Sequence, residues 1–233
     1  MAVGLDSDEL MDRTVEMIVS KAQLEEHFCF MYADLCRKMT DVWSAGTTKD
    51  EESPGKTFRQ KLLDRCRDEF DIDRVEALQE IRSSDVPDDE KEEKEIILKK
   101  RYTGHMRFIG ELYIKDLVTA KIMHNCMQEL LNAEEEETLV CMVKLMKTIG
   151  SKLEAYDKKK GYDNFQNYFD AIIKTSTSHE SSRMRFMLKD LIDMRVKGWQ
   201  ERREQEKVVD LSKKGSMKNS SSNSNFSTSN LNR

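Results

Sequence analysis

Apolar residues recur every three or four positions along most of this chain. Met11, Val15, Ile18 and Ala22 make one stripe, and Leu24, Phe28, Tyr32, Leu35 and Met39 make the next. Phe58, Leu62, Cys66 and Phe70 step by four. Ile122, Met123, Cys126, Met127, Leu130 and Leu131 form another stripe, followed by Leu139, Met142, Val143, Met146 and Ile149. Phe165, Tyr168, Phe169, Ile172 and Ile173 precede the last, which holds Met184, Met187, Leu188 and Leu191. This is the period of amphipathic helices, and no segment sustains the alternation of a half-buried strand.

Start and stop signals fit the stripes. Asp6 to Glu9 reads as a capping box, Thr119 as a cap, and Gly150 as a helix end. WSAGTTKDEESPGK (43–56) and RSSDVPDDE (82–90) read as breaks, with a long helical stretch over 89–117. The helices come in pairs joined by short connections, at a spacing near the ~40–47 residues of HEAT-type repeats. Each pair leaves an apolar face that stacking on its neighbour buries. The expected fold is all-α, an α-solenoid of antiparallel HEAT-type helix pairs, crescent-shaped and spanning residues 1–204. Residues 205–233 end in a Ser/Asn-rich run with too little apolar surface to offset its ordering entropy, so a disordered tail is expected there.

Composition narrows the function. Charged residues make up 36% of the 233, hydrophobic ones 38%, and the net charge is −5. The whole chain is therefore not a basic nucleic-acid binder, though a local basic face remains open. Cys29, Cys36, Cys66, Cys126 and Cys141 form no C-x-x-C pair. Buried, reduced thiols are expected, with no metal site. MAVGLDSDEL lacks an apolar signal core, and no apolar run is long enough to span a bilayer. A soluble intracellular protein is expected.

Catalytic constellations are missing. The histidines His27, His105, His124 and His179 fall on separate segments, and no phosphate loop, nucleophile elbow or H-E-x-x-H occurs. An enzyme is not expected, and no cofactor is implied.

Three stretches invite a functional reading. In RFIGELY (107–113), Gly110 sits mid-helix, where it permits close approach of a neighbour. Arg107 and Glu111 are spaced to pair on the surface, and Phe108 and Glu111 face either the core or a partner. Lys158, Lys159 and Lys160 form a basic run, read as a solvated loop or as a phosphate contact. SSRMRFMLKDLIDMR (181–195) places Arg183 and Arg185 in the first turn of a helix, where the dipole disfavours cations by roughly 0.3–1 kcal/mol. Pairing of Arg185 with Asp190, or of Arg183 with acidic residues of the preceding repeat, would offset this. An acidic surface on a partner would do the same.

RFIGELY, AKIMHNCMQELL (120–131), ETLVCMVKLMKTIGSKL (137–153) and SSRMRFMLKDLIDMR follow one another in order, after KTFRQKLLDRCRDEF (56–70). The series resembles the middle domain of eukaryotic translation initiation factor 4G over roughly residues 8–203. The resemblance implies a HEAT-repeat crescent without catalytic activity. It implies a cytoplasmic scaffold that holds the DEAD-box RNA helicase, initiation factor 4A, near its closed arrangement and stimulates its ATPase. It also implies contact with mRNA and, in some members, with initiation factor 3. Carried onto this chain, the helicase-facing positions are Phe108, Glu111, Leu145, Met146, Lys152, Arg183 and Phe186, with Lys158, Lys159 and Lys160 toward RNA.

Two departures matter. WQERR (199–203) lacks the proline that often follows the family's tryptophan. The Y-x-x-x-x-L motif for the cap-binding protein is not seen, since Val118 stands where leucine is required after Tyr113. Three alternatives stay open: a regulator that sequesters the helicase, one that binds poly(A)-binding protein, and an RNA-binding solenoid of mRNA processing or decay.

Overall fold

The computed structural model describes residues 8–45, 53–132 and 135–199, and every regular element among them is helical. α1 (Asp8–Leu24) leads through a 3-10 turn (Glu26–Phe28) into α2 (Cys29–Trp43). α3 (Pro54–Phe70), α4 (Arg74–Ser83) and α5 (Asp88–Ile114) follow. The chain continues with α6 (Ala120–Asn132), α7 (Glu136–Lys160), α8 (Asn164–Ser178) and α9 (Ser182–Val196). The tail expected over 205–233 and the capping box at Asp6 lie outside the described residues.

Local side chains cap the starts of α3, α4, α6 and α9. Ser53 Oγ accepts the Lys56 N–H at 3.2 Å, with Pro54 in the first turn of α3. Asp73 accepts from Val75 and Glu76, and Ser181 from Met184. Thr119 caps α6, accepting from Ile122 at 3.4 Å. α8 takes its cap from another helix: Asp157 of α7 accepts the Phe165 N–H at 3.0 Å. The same buried carboxylate accepts from His124 Nε2 at 2.9 Å, tying α6, α7 and α8 together. Gly150 does not end a helix. α7 runs through it to Lys160 and stops at Gly161, whose φ of 71° suits a left-handed cap.

Stacking produces the expected solenoid. α2, α5, α7 and α9 touch in succession as one layer. On the other side, α1 packs on α3 and α6 on α8. The α5–α7 contact is the most extensive. Arg107 and Lys144 both reach Glu26, at 3.8 and 2.8 Å, and Lys152 Nζ bonds the Ile114 carbonyl at 3.0 Å, so the two helices run parallel. Gly110 permits this: a Cβ there would lie 2.8 Å from Thr148 Cγ2.

One expected stripe is split: Tyr32 and Met39 pack half-buried against the core, while Leu24, Phe28 and Leu35 turn outward. On α2 the buried face is Cys29, Ala33 and Cys36, while Met31, Leu35 and, just before the helix, Phe28 are exposed. The small residues bring α2 close to its neighbours, and the Cys29 thiol donates to the Ala22 carbonyl at 3.3 Å. All five cysteines are free and buried. Burial pushes the thiols of Cys29, Cys36 and Cys126 up to about 12 and that of Cys66 further still, so they stay un-ionised.

The last apolar face is closed from within the chain. After α9, Gly198 and Trp199 adopt φ of 72° and 66° and turn the backbone. The indole then lies over Gly150, where a Cβ would meet it at 2.2 Å, and edge-on to Phe165 and Phe169. Its Nε1–H donates to Glu154 Oε2 at 2.8 Å, and Arg195 holds the other oxygen of that carboxylate while stacking 4.3 Å over Phe169.

His105 makes stability depend on pH. Its Nε2–H donates to the Cys66 carbonyl at 2.9 Å, and Nδ1 has no partner in this buried site. Burial lowers its pKa from 6.5 to about 4. The folded chain thus refuses a proton that the unfolded chain accepts below pH 6.5. The stability from neutral His105 is fully present above that pH and is lost progressively toward pH 4, by up to about 3 kcal/mol. Urea unfolding of wild type and His105→Gln across this window will show a flatter pH profile for the variant; equal slopes would mean that His105 takes up its proton freely in the folded state.

Candidate partner-binding surfaces

The start of α9 resolves its misplaced charges. Arg185 does not pair with Asp190, which lies five positions on and off its face. Its guanidinium turns back, donating to the His179 and Glu180 carbonyls at 2.5 and 2.8 Å and to Ser182 Oγ at 2.7 Å. It therefore binds acceptors of the α8–α9 turn, which offset the dipole penalty. Arg183 does reach the preceding pair, 3.7 Å from Glu136 of α7. Its side chain stays 73% exposed, and a pair this long and solvated contributes less than about 1 kcal/mol. Phe186, one turn on, is 70% exposed. Met184, Leu188 and Leu191 supply the buried face, so Arg183 and Phe186 both project outward.

The other residues expected to face the helicase divide sharply. Phe108, Leu145 and Met146 have no exposed surface. They are core residues of α5 and α7 and offer nothing for a partner to touch in this arrangement. Their helices need them inside, because the α5–α7 contact is packed from those positions. Lys152 is a helix cap. Its ammonium donates to the Tyr113 and Ile114 carbonyls at 2.9 and 3.0 Å and to Asp116 Oδ1 at 2.6 Å, 4.9 Å above the Tyr113 ring. It thus satisfies the Ile114 carbonyl, joins the Asp116 N–H on that of Tyr113, and complements the dipole at the C-terminus of α5.

Glu111 is half-buried and forms no ion pair with Arg107, which turns to Glu26 instead. Burial raises its pKa, with Arg107 and Lys115 opposing and Asp34 of α2 adding to the rise. This carboxyl lies beside α2, next to the feature that periodicity concealed. Phe28, Met31 and Leu35 follow one another at helical spacing, each between 44% and 53% exposed, and Val42 extends the line at 69%. These side chains form an outward apolar ridge. A stripe of large residues is normally assigned to the core, and the contrary signal was the parallel stripe of small ones, Cys29, Ala33 and Cys36.

Lys158, Lys159 and Lys160 occupy the last turn of α7 rather than a loop, where the dipole favours cations. Lys158 lies 3.2 Å from Glu154. Lys159 and Lys160 are exposed, and the rings of Tyr156 and Tyr162 stand 6.4 Å apart beside them. Neither tyrosine is singled out by the sequence pattern. Among the described residues no cluster of His, Cys, Asp and Glu could hold a metal ion, and no helix is long and apolar enough to cross a membrane.

The framework and the free side chains should separate by stability. Lys152→Met is expected to lower unfolding free energy by about 1 kcal/mol, since it removes the donor of the half-buried Ile114 carbonyl. Arg183→Ala should change it by less than about 0.5 kcal/mol. Urea titration of both variants checks this; an equal loss would place Arg183 in the framework.

Residues 2–197 match the family model described as the MIF4G domain. Eukaryotic translation initiation factor 4 gamma 3 of Mus musculus is 33% identical over 216 residues, covering 87% of this chain and 13% of that protein. Eukaryotic translation initiation factor 4G of Oryza sativa subsp. japonica is 36% identical over 215 residues, covering 88% and 12%. The chain therefore spans about one-eighth of the length of the curated relatives it matches. The crystal structure of the MIF4G domain of Trypanosoma cruzi translation initiation factor EIF4G5 superposes with a TM-score of 0.50 at 17% identity, over 85% of each chain. That likeness concerns the fold.

Proposed function

The chain belongs to the MIF4G domain family of translation initiation factor 4G, and on that premise we propose that it is a non-catalytic scaffold that binds the DEAD-box helicase, initiation factor 4A, and stimulates its ATPase. One observation carries the reading. Exposed apolar side chains stand at both ends of the α2–α5–α7–α9 layer: the Phe28–Met31–Leu35 ridge on α2 and Phe186 with Arg183 on α9. A two-lobed partner is held by such a pair of surfaces at a fixed separation.

The mechanism is positional. One lobe docks on the α2 ridge beside Glu111, the other on Arg183 and Phe186. The closed helicase reaches both surfaces at once, whereas the open form reaches one. A tenfold preference for the closed form needs only about 1.4 kcal/mol of differential binding. Burying one ring the size of Phe186 contributes about 2 kcal/mol, so modest contacts at each end suffice. Phe108, Leu145, Met146 and Lys152 act behind these surfaces, as the packing that fixes their separation.

RNA contact is proposed at the end of α7. Lys159 and Lys160 supply phosphate contacts, and Tyr156 and Tyr162 offer faces for bases to stack on. Such a surface binds single strands without reading sequence, in keeping with a cytoplasmic role on many mRNAs.

ATPase turnover of the helicase with single-stranded RNA tests the reading. The wild-type chain should stimulate it. Leu35→Asp and Phe186→Asp should each abolish most of the stimulation while leaving binding detectable, because the other surface still holds one lobe. Binding without stimulation by wild type would overturn activation in favour of sequestration. No binding at all would favour an RNA-binding solenoid.

A further inference from the structure

The two layers of the solenoid are unequally filled. α1 packs on α3 and α6 on α8, but α3 and α6 are separated by a groove of about 430 Å³. Its floor is apolar, from Leu63 and Phe70 of α3, Ile109 of α5, Val118, and Ile122 and Cys126 of α6. It shares Phe70, Asp71 and Glu129 with an adjoining hollow of about 620 Å³ that adds Ile72, Asp73 and Glu135. Ile122 and Ile72 are 39% and 40% exposed, so apolar surface continues along both hollows.

The rim is acidic. Asp64, Asp71, Asp73, Glu129 and Glu135 face the two hollows, against Arg67 and Arg74. Neither arginine neutralises the rim as a whole. Arg67 is spent on Asp71 at 3.5 Å. Arg74 turns inward, lying 5.3 Å from the Phe70 ring centroid and 5.5 Å from that of Tyr102, and donates to the Phe70 carbonyl at 3.3 Å. Asp73 is engaged in capping α4, but Glu129 and Glu135 have no ion pair among the described residues.

We propose that the α3–α6 groove is a docking site for a basic amphipathic helix of another protein. A trough between two helices with an apolar floor accepts apolar anchors at i, i+3, i+4 and i+7. The carboxylates on its rim select lysine or arginine on the flanks of that helix and repel nucleic acid. The groove opens on the α3–α6 side, away from the layer that carries the α2 ridge and the α9 surface. A partner held here rides on the scaffold without competing for either.

The test is fluorescence anisotropy with the full chain at about 0.15 M salt. The probe is a labelled Leu/Lys peptide of about 16 residues with leucines at those spacings, compared with its Leu/Glu counterpart. The Leu/Lys peptide should bind at least about tenfold more tightly. Ile122→Asp should remove about tenfold or more of that affinity, and Asp64→Lys with Glu129→Lys should reverse the preference. Glu92→Lys with Glu93→Lys, an equal charge change on exposed positions of α5, should leave binding unaltered. The proposal fails if the α5 change weakens binding as much as the rim change, which marks unspecific attraction to an acidic protein. It also fails if Ile122→Asp, folded by circular dichroism, binds like wild type.

Discussion

The parallel contact of α5 with α7 is the constraint on which the rest of this molecule depends. Gly110 lets the two backbones approach until Thr148 occupies the space of a side chain. Lys144 and Lys152 then reach across at either end of the contact, one to Glu26 and one to the carbonyls that finish α5. Phe108, Leu145 and Met146 fill the space around it. α2 is packed on one side of this pair and α9 on the other, so a fixed α5–α7 geometry sets the distance between the two exposed surfaces. Close-packed interiors have low compressibility, which makes such a spacing a usable ruler.

This division explains why so many residues in the resemblance-bearing motifs turn inward. RFIGELY and the stretch around Thr148 carry the resemblance in the sequence, yet most of their side chains are packed inside the α5–α7 joint. The exposed residues sit one helix further out. Their apolar surface costs the fold little, since lone exposed apolar side chains are ordinary on soluble proteins. It becomes significant because Phe28, Met31 and Leu35 stand outside while Cys29, Ala33 and Cys36 are inside and Tyr32, Met39 and Trp43 are half-buried against the core.

Helix content and the solenoid were legible from apolar period and cap chemistry, because both act within one turn of the chain. What escaped is set by contacts between distant segments. Gly150 resembles a helix end locally, but its missing side chain is needed by Trp199, 49 positions on. The cue for the true end was the glycine after Lys158, Lys159 and Lys160. α4 buries only Leu78 among its residues and so left almost no apolar stripe to detect. Arg185 resolves its unfavourable position through carbonyls of the preceding turn, which no side-chain spacing rule encodes. The direction of Phe186 followed only once Met184, Leu188 and Leu191 were seen to take the buried face of α9.

The most direct measurement is the distance between the two lobes of the helicase, by single-molecule energy transfer between one dye on each, with RNA and nucleotide present and this chain added. With a positional scaffold, the population moves toward the short distance while the complex is intact. A complex that forms with the lobe-to-lobe distribution unchanged would contradict this mechanism, because a scaffold that binds open and closed forms equally shifts nothing.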